Sequence, residues 1–200
     1  MQLFWFAFSI AVYFALHSLL ADEWVKKQLT GWLPPRFYRL GYNFFSLVTI
    51  LPLAYFYLQL EKHFLMNTSP WLTGAGSFVV LAGIIWMWKS MGGYDLAEFT
   101  GLYQWKNGRE PVHTVLNVSG LNGVIRHPLY FGTLLIAWGI FLAWPTDAVL
   151  VGALSTSAYL FIGSRLEERK LTKQFGETYC SYRQQVPMLL PFRWRRKKNR

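Results

Sequence analysis

The chain has 200 residues, 53% of them hydrophobic, and a formal net charge of +10. Long uncharged blocks hold most of the hydrophobic residues, a distribution that argues against a soluble domain and is typical of a membrane protein. A single cysteine, Cys180, excludes an internal disulfide and a cysteine cluster for metal. The sequence has neither a glycine-rich phosphate loop nor an HExxH motif, and no metal site is predicted.

Five of the uncharged blocks approach the length of about twenty apolar residues that a helix needs to cross a bilayer. They predict an all-α integral membrane protein with transmembrane helices at 3–21, 40–60, 71–90, 129–144 and 146–164. Only the sequence WPTD separates the last two spans, which predicts a tight helical hairpin. A buried hairpin of a soluble protein is the alternative, and the neighbouring spans disfavour it.

Basic residues divide unevenly between the two sides of this predicted bundle. If the C-terminus is cytoplasmic, five crossings place the N-terminus outside and make 22–39, 89–128 and 165–200 cytoplasmic. These segments hold 4, 4 and 11 Lys or Arg, which is 19 of the 20 in the chain, and the outer segments hold only Lys62. The positive-inside rule expects this asymmetry. The charge therefore needs no nucleic-acid partner, and the basic tail 193–200 is expected to contact anionic lipid headgroups or only to fix topology.

The chain is predicted to be a single domain, with N-terminal helices in 1–90 and a core in 91–192 that holds the candidate binding residues. The loop at 89–128 mixes glycines, aromatic residues, histidines and isolated charges. Loops of this length without structure are uncommon unless they are functional, and the many aromatic and aliphatic residues argue against disorder. We expect this loop to fold as a cytoplasmic cap on the ends of the helices.

The sequence RHPLYFG opens the fourth predicted span. Pro128 is favoured in the first turn of a helix, so the helix is expected to begin at His127 or Pro128. The free N–H groups of a helix start attract an anion, and Arg126 and His127 would strengthen that attraction. A bound phosphate or carboxylate would suit this segment. The alternative is that Arg126 only fixes topology and His127 only caps the helix.

A second polar cluster follows the fifth predicted span, in SRLEERKLTKQFGETYCSYRQQVPMLLPF. Leu171, Phe175 and Tyr179 form an apolar stripe at helical spacing, which predicts an amphipathic C-terminal helix. Glu168 falls on this stripe and Glu167 lies at its edge. Carboxylates that face a membrane-proximal core are costly unless they bind a cation or the hydroxyl and amino groups of a ligand. Local pairing with neighbouring arginine and lysine side chains on a solvated face is the alternative.

Together, GLNGVIRHPLYFG and LEERKLTKQFGETYCSYRQQVPMLLP resemble the signature of integral-membrane methyltransferases, the superfamily of isoprenylcysteine carboxyl methyltransferase and the phospholipid methyltransferases. The resemblance covers roughly residues 113–192. In the first half, ALHSLLA and GYDLAEFTGLYQW resemble more loosely the bacterial branch that contains NnrU-like proteins and methanethiol S-methyltransferase.

This resemblance implies S-adenosylmethionine as methyl donor, bound at the cytoplasmic membrane surface between the RHP loop and the helix after the hairpin. The implied cofactor-binding residues are His113, Val115, Leu116, Asn122, Arg126, His127, Pro128, Leu129, Tyr130, Glu167 and Glu168. Asn122 replaces a tyrosine of the family pattern. No residue is assigned a catalytic role, because a thiol or carboxylate acceptor does not oblige the protein to supply a general base.

The methyl acceptor is expected to be a small thiol or a lipid that arrives from the bilayer. Arg165, Tyr13 and His17 are the expected substrate contacts, although Tyr13 and His17 can equally make helix-packing hydrogen bonds. In the enzymes that act on prenylated cysteine, an arginine that helps bind substrate stands where this chain has Gly163, which disfavours a prenylcysteine carboxylate. An NADPH-dependent membrane reductase of the sterol-reductase type and a non-enzymatic membrane scaffold are the alternatives. A bacterial inner membrane is the expected location.

Overall fold

The computed structural model describes residues 1–112 and 114–192, so His113 and the basic tail 193–200 lie outside the described residues. The described part of the chain is helical and has no β-strand, as the predicted all-α fold requires. Its α-helices are α1 (Gln2–Leu20), α2 (Glu23–Leu29), α3 (Pro35–Val48), α4 (Ile50–Gln59), α5 (Pro70–Met91), α6 (Leu96–Thr100), α7 (Leu102–Asn107), α8 (Pro128–Ala143), α9 (Asp147–Phe175) and α10 (Glu177–Gln185). A short 3-10 helix (Gly120–Gly123) lies in the loop before α8.

Four helical segments of the described chain are long and apolar enough to cross a membrane, namely α1, α3 together with α4, α5, and α9. This is the architecture of an all-α integral membrane protein. Helix α8 is also apolar but has only 16 residues. At 1.5 Å per residue it is about 24 Å long, against a hydrocarbon core of about 30 Å. Five crossings therefore stay a prediction.

The second predicted span, at 40–60, begins earlier than expected and is interrupted. The helix begins at Pro35 and breaks at Thr49, which separates α3 from α4. Pro35 suits a first helical turn because the N–H it lacks would be unpaired there. Pro52 has no N–H to donate to the Val48 carbonyl, and the Thr49 hydroxyl donates to carbonyls of the preceding turn. Both features weaken the backbone ladder at the break.

Helices α8 and α9 form the expected hairpin, but the second arm is longer than predicted. The sequence analysis ends this span at residue 164, whereas α9 continues to Phe175. The extra turns consist mainly of good helix formers, and Gly176, at φ +53°, follows the helix end. Glu167 and Glu168 therefore lie on the same continuous helix as the membrane segment. The end of α9 also divides the predicted amphipathic helix, since Leu171 and Phe175 of its stripe lie on α9 and Tyr179 lies on α10.

Helices α5 and α8 pack antiparallel through glycines. A Cβ atom added to Gly139 would lie 2.8 Å from the Val80 backbone nitrogen, and one added to Gly83 would lie 3.0 Å from the Gly132 carbonyl oxygen. These distances are shorter than ordinary van der Waals contacts, so both helices need glycine to approach this closely. Small residues serve the same purpose in many membrane helix pairs, where close backbone packing replaces the hydrophobic effect.

The turn between α8 and α9 lies beside the connection from α4 to α5. The Leu65 N–H donates to the Pro145 carbonyl at 2.8 Å, and the Asp147 N–H donates to the His63 carbonyl at 3.0 Å. Helix α8 therefore spans the distance from the C-terminal end of α5 to the α4–α5 connection. This places the RHP segment at the end of the bundle where the loop after α5 begins.

The first two long segments, α1 and α3–α4, attach to the rest of the bundle mainly through α1. Helix α1 packs against α4 and α9, with a small buried cluster formed by Phe6, Ile10, Leu60 and Ala148. Helix α3 packs instead against α6 and α7. The Asn43 amide donates to the carbonyls that end α6 at 3.3 and 2.9 Å. The loop after α5 is thereby joined to the N-terminal helices.

Candidate functional site

The RHP segment is fixed by backbone hydrogen bonds. Helix α8 begins at Pro128 with His127 at its N-cap position, as predicted. The N–H groups of Arg126 and His127 donate to two carbonyls of the segment after α10, at 2.9 and 3.2 Å. The Trp86 indole N–H donates to the Pro128 carbonyl at 3.0 Å. Helix α5 and the C-terminal segment therefore hold the start of α8 from two sides.

Arg126 and Glu168 form a buried ion pair. Arg126 Nε and Nη2 lie 2.6 and 2.5 Å from Glu168 Oε1, and both side chains are 8% exposed. The same guanidinium donates through Nη1 to the carbonyls of Arg183 and Val186, at the end of α10. The positive charge of Arg126 is thus directed at Glu168 and at the C-terminal end of a helix, where the helix dipole favours it.

His127 lies between two carboxylates. Its Nδ1 is 3.4 Å from Glu167 Oε2, and its Nε2 is 3.4 Å from Glu168 Oε1. The imidazole is almost fully buried and stacks on the Tyr130 ring at a centroid distance of 5.3 Å. The Tyr130 hydroxyl donates to Glu167 Oε2 at 3.0 Å. Because the Glu167 side chain is 46% exposed, its carboxylate is the charged group of this cluster that a ligand can reach most easily.

The charges of the cluster favour a protonated His127. Burial by itself would lower the pKa of His127, but the carboxylates of Glu167 and Glu168 outweigh burial and raise this pKa above its ordinary value. With the imidazole protonated, His127 and Arg126 balance the two carboxylates. The site is then neutral overall, which reduces the cost of placing four ionisable groups beside a membrane.

A cleft of about 740 Å³ opens next to this cluster, between the loop at 114–118, the end of α9 and α10. Val186, whose carbonyl accepts from Arg126, forms part of its wall. Of the predicted cofactor residues, Val115 and Leu116 line the cleft. Its polar lining groups include Gln174, Thr178 and Ser181.

Helix α9 connects the cleft with the charged cluster. Glu167 and Gln174 are seven residues apart, which places them on one face of the helix about 10 Å from each other. Gln174 lines the cleft, and Glu167 carries the exposed carboxylate. One continuous helical face therefore leads from the cleft to the carboxylate.

The other predicted residues occupy more varied positions. The carbonyl of Asn122 accepts a hydrogen bond from the Tyr182 hydroxyl at 2.6 Å, and Leu129 is half-buried in the first turn of α8. The Arg165 guanidinium lies 4.9 Å from the centroid of the Phe161 ring. Arg165 also points about 200° around α9 from Glu167, so the structure does not bring it to the cluster.

Tyr13 and His17, the other predicted substrate contacts, lie in a separate polar group between α1, α3 and α9. Their rings stack at a centroid distance of 5.9 Å. His17 Nε2 is 2.7 Å from the Tyr42 hydroxyl, and His17 Nδ1 is 3.2 Å from the Ser46 hydroxyl. The helix-packing hydrogen bonds that the sequence left open are therefore present at His17.

The sequence analysis assigned no binding role to two tyrosines at the site, Tyr179 and Tyr182. The ring of Tyr182 meets that of Tyr179 edge to face, with centroids 5.8 Å apart. Tyr179 is fully buried, and its hydroxyl has no hydrogen-bond partner within the described residues. Burial raises the pKa of Tyr182 to about 12, so its hydroxyl stays protonated and donates to Asn122. Both tyrosines belong to the second motif, and their three-residue spacing on a helix was the available signal.

Comparison with known proteins finds one matching family and a set of relatives that share one name. The model of the family described as NnrU protein matches residues 5–191. Methanethiol S-methyltransferase 1 of Bradyrhizobium diazoefficiens is 30% identical over 190 residues, which cover 94% of this chain and 65% of that protein. Methanethiol S-methyltransferase of a Pseudomonas species is 29% identical over 195 residues, with coverages of 94% and 72%.

A more distant relative extends the same similarity. Methanethiol S-methyltransferase of Mycobacterium tuberculosis is 24% identical over 191 residues, which cover 92% of this chain and 75% of that protein. The chain thus spans between 65% and 75% of the length of these three relatives. No solved structure matches the chain significantly.

Proposed function

The chain belongs to the NnrU protein family, and from this membership we propose that it is a membrane methyltransferase that uses S-adenosylmethionine and methylates a small thiol. Relatives named methanethiol S-methyltransferase match nearly the whole chain. Their name specifies a thiol sulfur as the acceptor, which favours a thiol over the lipid acceptors that the wider superfamily suggests.

The observation that carries the proposal is the Glu167 carboxylate. It is half-exposed, and Tyr130 and His127 hold it from the buried side. A carboxylate in this position suits the amino and hydroxyl groups of S-adenosylmethionine. The alternative in the sequence, pairing with basic neighbours on α9, has less support, because the described contacts of Glu167 are to residues of the RHP segment.

The other residues at the site also fit this cofactor. The cleft has room for a molecule of nucleoside size, with aliphatic groups from Val115 and Leu116 on one wall and polar groups from α9 and α10 on the other. The buried Tyr179 hydroxyl lacks a hydrogen-bond partner within the described residues. Such a group is costly unless a ligand or a water satisfies it.

When bound, S-adenosylmethionine supplies a methyl group on a positively charged sulfur, so the protein needs no covalent nucleophile of its own. The chain has to bind and orient the two reactants and to exclude water from them. We assign orientation to Glu167, with Tyr130 and His127 as the groups that hold its carboxylate. The Arg126–Glu168 pair fixes the RHP loop against α9 and α10.

We further place the protein in a bacterial inner membrane, with the N-terminus outside and the C-terminus in the cytoplasm. The relatives come from bacteria, and 19 of the 20 basic residues fall in the segments that this topology makes cytoplasmic. The cleft and the charged cluster then face the cytoplasm, where S-adenosylmethionine is made. The acceptor side of the site borders the bilayer.

Ligand-dependent thermal stability of the purified protein in mild detergent tests this proposal. S-adenosylhomocysteine, the demethylated product, should raise the melting temperature in proportion to the logarithm of its excess over the dissociation constant. The Glu167→Gln variant should lose most of this rise. The Glu177→Gln variant removes an exposed carboxylate in the first turn of α10 and should keep it.

Each other outcome has a defined meaning. Stabilisation by NADPH and not by S-adenosylhomocysteine would contradict the methyltransferase proposal and favour a membrane reductase. Stabilisation by neither ligand, in protein that unfolds cooperatively, would favour a membrane scaffold. An equal loss of this stabilisation in Glu167→Gln and Glu177→Gln would show that Glu167 has no specific role in binding S-adenosylhomocysteine. A variant of His127 would then be tested in the same way.

A further inference from the structure

Asn117 ties the segment that leaves α5 to the wall of the cleft. The Asn117 amide nitrogen donates to the Gly93 carbonyl at 2.9 Å. Its amide oxygen accepts from the N–H and the hydroxyl of Ser119 at 3.1 and 2.8 Å. These partners determine which end of the amide is the oxygen, because a carbonyl can only accept and a backbone N–H can only donate. The end of α5 is therefore held at the cleft by hydrogen bonds of defined direction.

Tyr94 leaves α5 at this point. The residues on either side of Asn117 line the cleft, and a Cβ atom built on Gly93 would lie 3.6 Å from the side-chain nitrogen of Asn122. The backbone of Gly93 therefore lies against the loop that forms one wall of the cleft. The next residue is Tyr94, whose N–H donates to the Met91 carbonyl at 3.0 Å. These contacts place Tyr94 at the edge of the cleft.

The side chain of Tyr94 adjoins both halves of the proposed donor site. Its hydroxyl interacts electrostatically with the Glu167 carboxylate and with the Tyr130 hydroxyl, which donates to that carboxylate. It also interacts with Tyr182, which lines the cleft. Burial of the hydroxyl is the main reason that the pKa of Tyr94 is raised to about 12, so the phenol stays neutral beside Glu167. The side chain as a whole is 42% exposed and is therefore open to a ligand.

The chemistry of the donor gives this position a specific meaning. In S-adenosylmethionine a positively charged sulfur joins the amino-acid part to the nucleoside part. With the amino group at Glu167 and the nucleoside in the cleft, the sulfur lies between the two, in the region that Tyr94 adjoins. An aromatic ring attracts a cation in a way that it does not attract a neutral group. The demethylated product has the same two ends but a neutral sulfur, so an aromatic side chain here can distinguish donor from product.

We infer that Tyr94 is a further donor-binding residue, which contacts S-adenosylmethionine at its charged sulfur and favours it over the neutral product, and that Asn117 positions Tyr94 for this contact. The inference rests on the proposed methyltransferase function and adds to it a residue that determines specificity. Donor and product compete for one site, so a preference for the charged molecule helps the protein to exchange product for donor after each turnover.

Calorimetric titration of the purified protein with each ligand, in the absence of a thiol, separates this role from a structural one. The Tyr94→Leu variant should bind S-adenosylmethionine about tenfold more weakly than the wild type, because the charged sulfur loses its aromatic partner. Its affinity for S-adenosylhomocysteine should fall by less than about threefold, since the product has no such charge. Tyr94→Phe keeps the ring and should keep the wild-type ratio of the two affinities. Tyr55→Leu removes an exposed tyrosine of α4 and should change neither affinity.

Two further variants test the positioning step without a change to Tyr94 itself. Asn117→Ala removes the hydrogen bond to Gly93, and the ratio of donor affinity to product affinity should fall as it does in Tyr94→Leu. Ser119→Ala removes one of the hydrogen bonds to the amide oxygen but leaves the contact with Gly93. This variant should keep the wild-type ratio.

The contrary outcomes are distinct. Equal losses of donor and product affinity in Tyr94→Leu, or no loss of donor affinity, would overturn the specificity role of Tyr94. The same holds for a changed ratio in Tyr94→Phe. An unchanged ratio in Asn117→Ala would overturn the positioning role of Asn117. Failure of the wild type to bind either ligand would instead overturn the proposed function.

Discussion

Arg126 and Glu168 are 42 residues apart in the sequence, yet the Arg126 atoms Nε and Nη2 lie 2.6 and 2.5 Å from a single carboxylate oxygen of Glu168. This pair joins the loop before α8 to α9, and the same guanidinium holds the end of α10. Removal of either side chain leaves a buried charge without its partner. The pair therefore holds the start of α8, α9 and the end of α10 together at the candidate site.

Loss of one charge of this pair should be costly, and loss of both should be tolerated better. We expect Glu168→Gln or Arg126→Met alone to destabilise the protein by about 3–5 kcal/mol, because a buried charge remains unpaired. The Arg126→Met, Glu168→Leu double variant should be more stable than the worse single variant. Unfolding in mixed detergent micelles measures these free energies. Additive losses in the double variant would contradict an interaction between the two side chains.

The sequence predicted the bundle well and the site only in part, for a physical reason. Uncharged blocks of membrane length predict where helices lie, because every backbone polar group in a bilayer must be paired within a helix. The break at Thr49 was missed because it introduces no charge. The RHP and EE motifs indicated the site, yet the partner of Glu168 could not be read from local spacing. Its sequence neighbours on α9 were equally good candidates until the fold placed Arg126 beside it.

Close packing of α5 on α8 predicts that alanine substitutions at two glycines of α5 change the stability of the protein very differently. A Cβ atom on Gly76 would collide with the backbone of Ala143, whereas one on Gly74 would meet no atom within 4 Å. We expect Gly76→Ala to destabilise the protein by about 1–3 kcal/mol, as overpacking usually does. Gly74→Ala should be neutral or stabilise by up to about 1 kcal/mol, because alanine favours the helix. Thermal unfolding in one detergent compares the two variants, and equal melting temperatures would show that α5 and α8 do not pack this closely.

The raised pKa of His127 predicts that the protein loses stability as pH rises. The folded state binds the His127 proton more tightly than the unfolded state does. Its stabilising contribution is therefore complete below the unfolded pKa of about 6.5 and is lost as pH rises through the higher folded value. Melting temperatures measured between about pH 5 and about pH 9 should fall for the wild type over this window.

The variant His127→Gln should have a flatter profile in the same window, while His63→Gln, which removes a histidine from the α4–α5 connection, should follow the wild type. Glu167, Glu168, Arg126 and Tyr130 are the titratable or charged groups that face His127. An unchanged profile in His127→Gln would assign the pH dependence to one of these groups.

The contacts of the α8–α9 turn predict the side of the membrane on which this turn is exposed. Hydrogen bonds join this turn to the α4–α5 connection, so both should lie outside the cytoplasm even though α8 is short. In a Cys180→Ser background, cysteines placed at the exposed positions Met66 and Trp144 should react with a membrane-impermeant maleimide in intact spheroplasts. A cysteine at the exposed Lys106 of α7 should react only after the membrane is opened. Labelling at position 66 but not at position 144 would mean that α8 does not cross, and would place the candidate site and the turn on the same side of the bilayer.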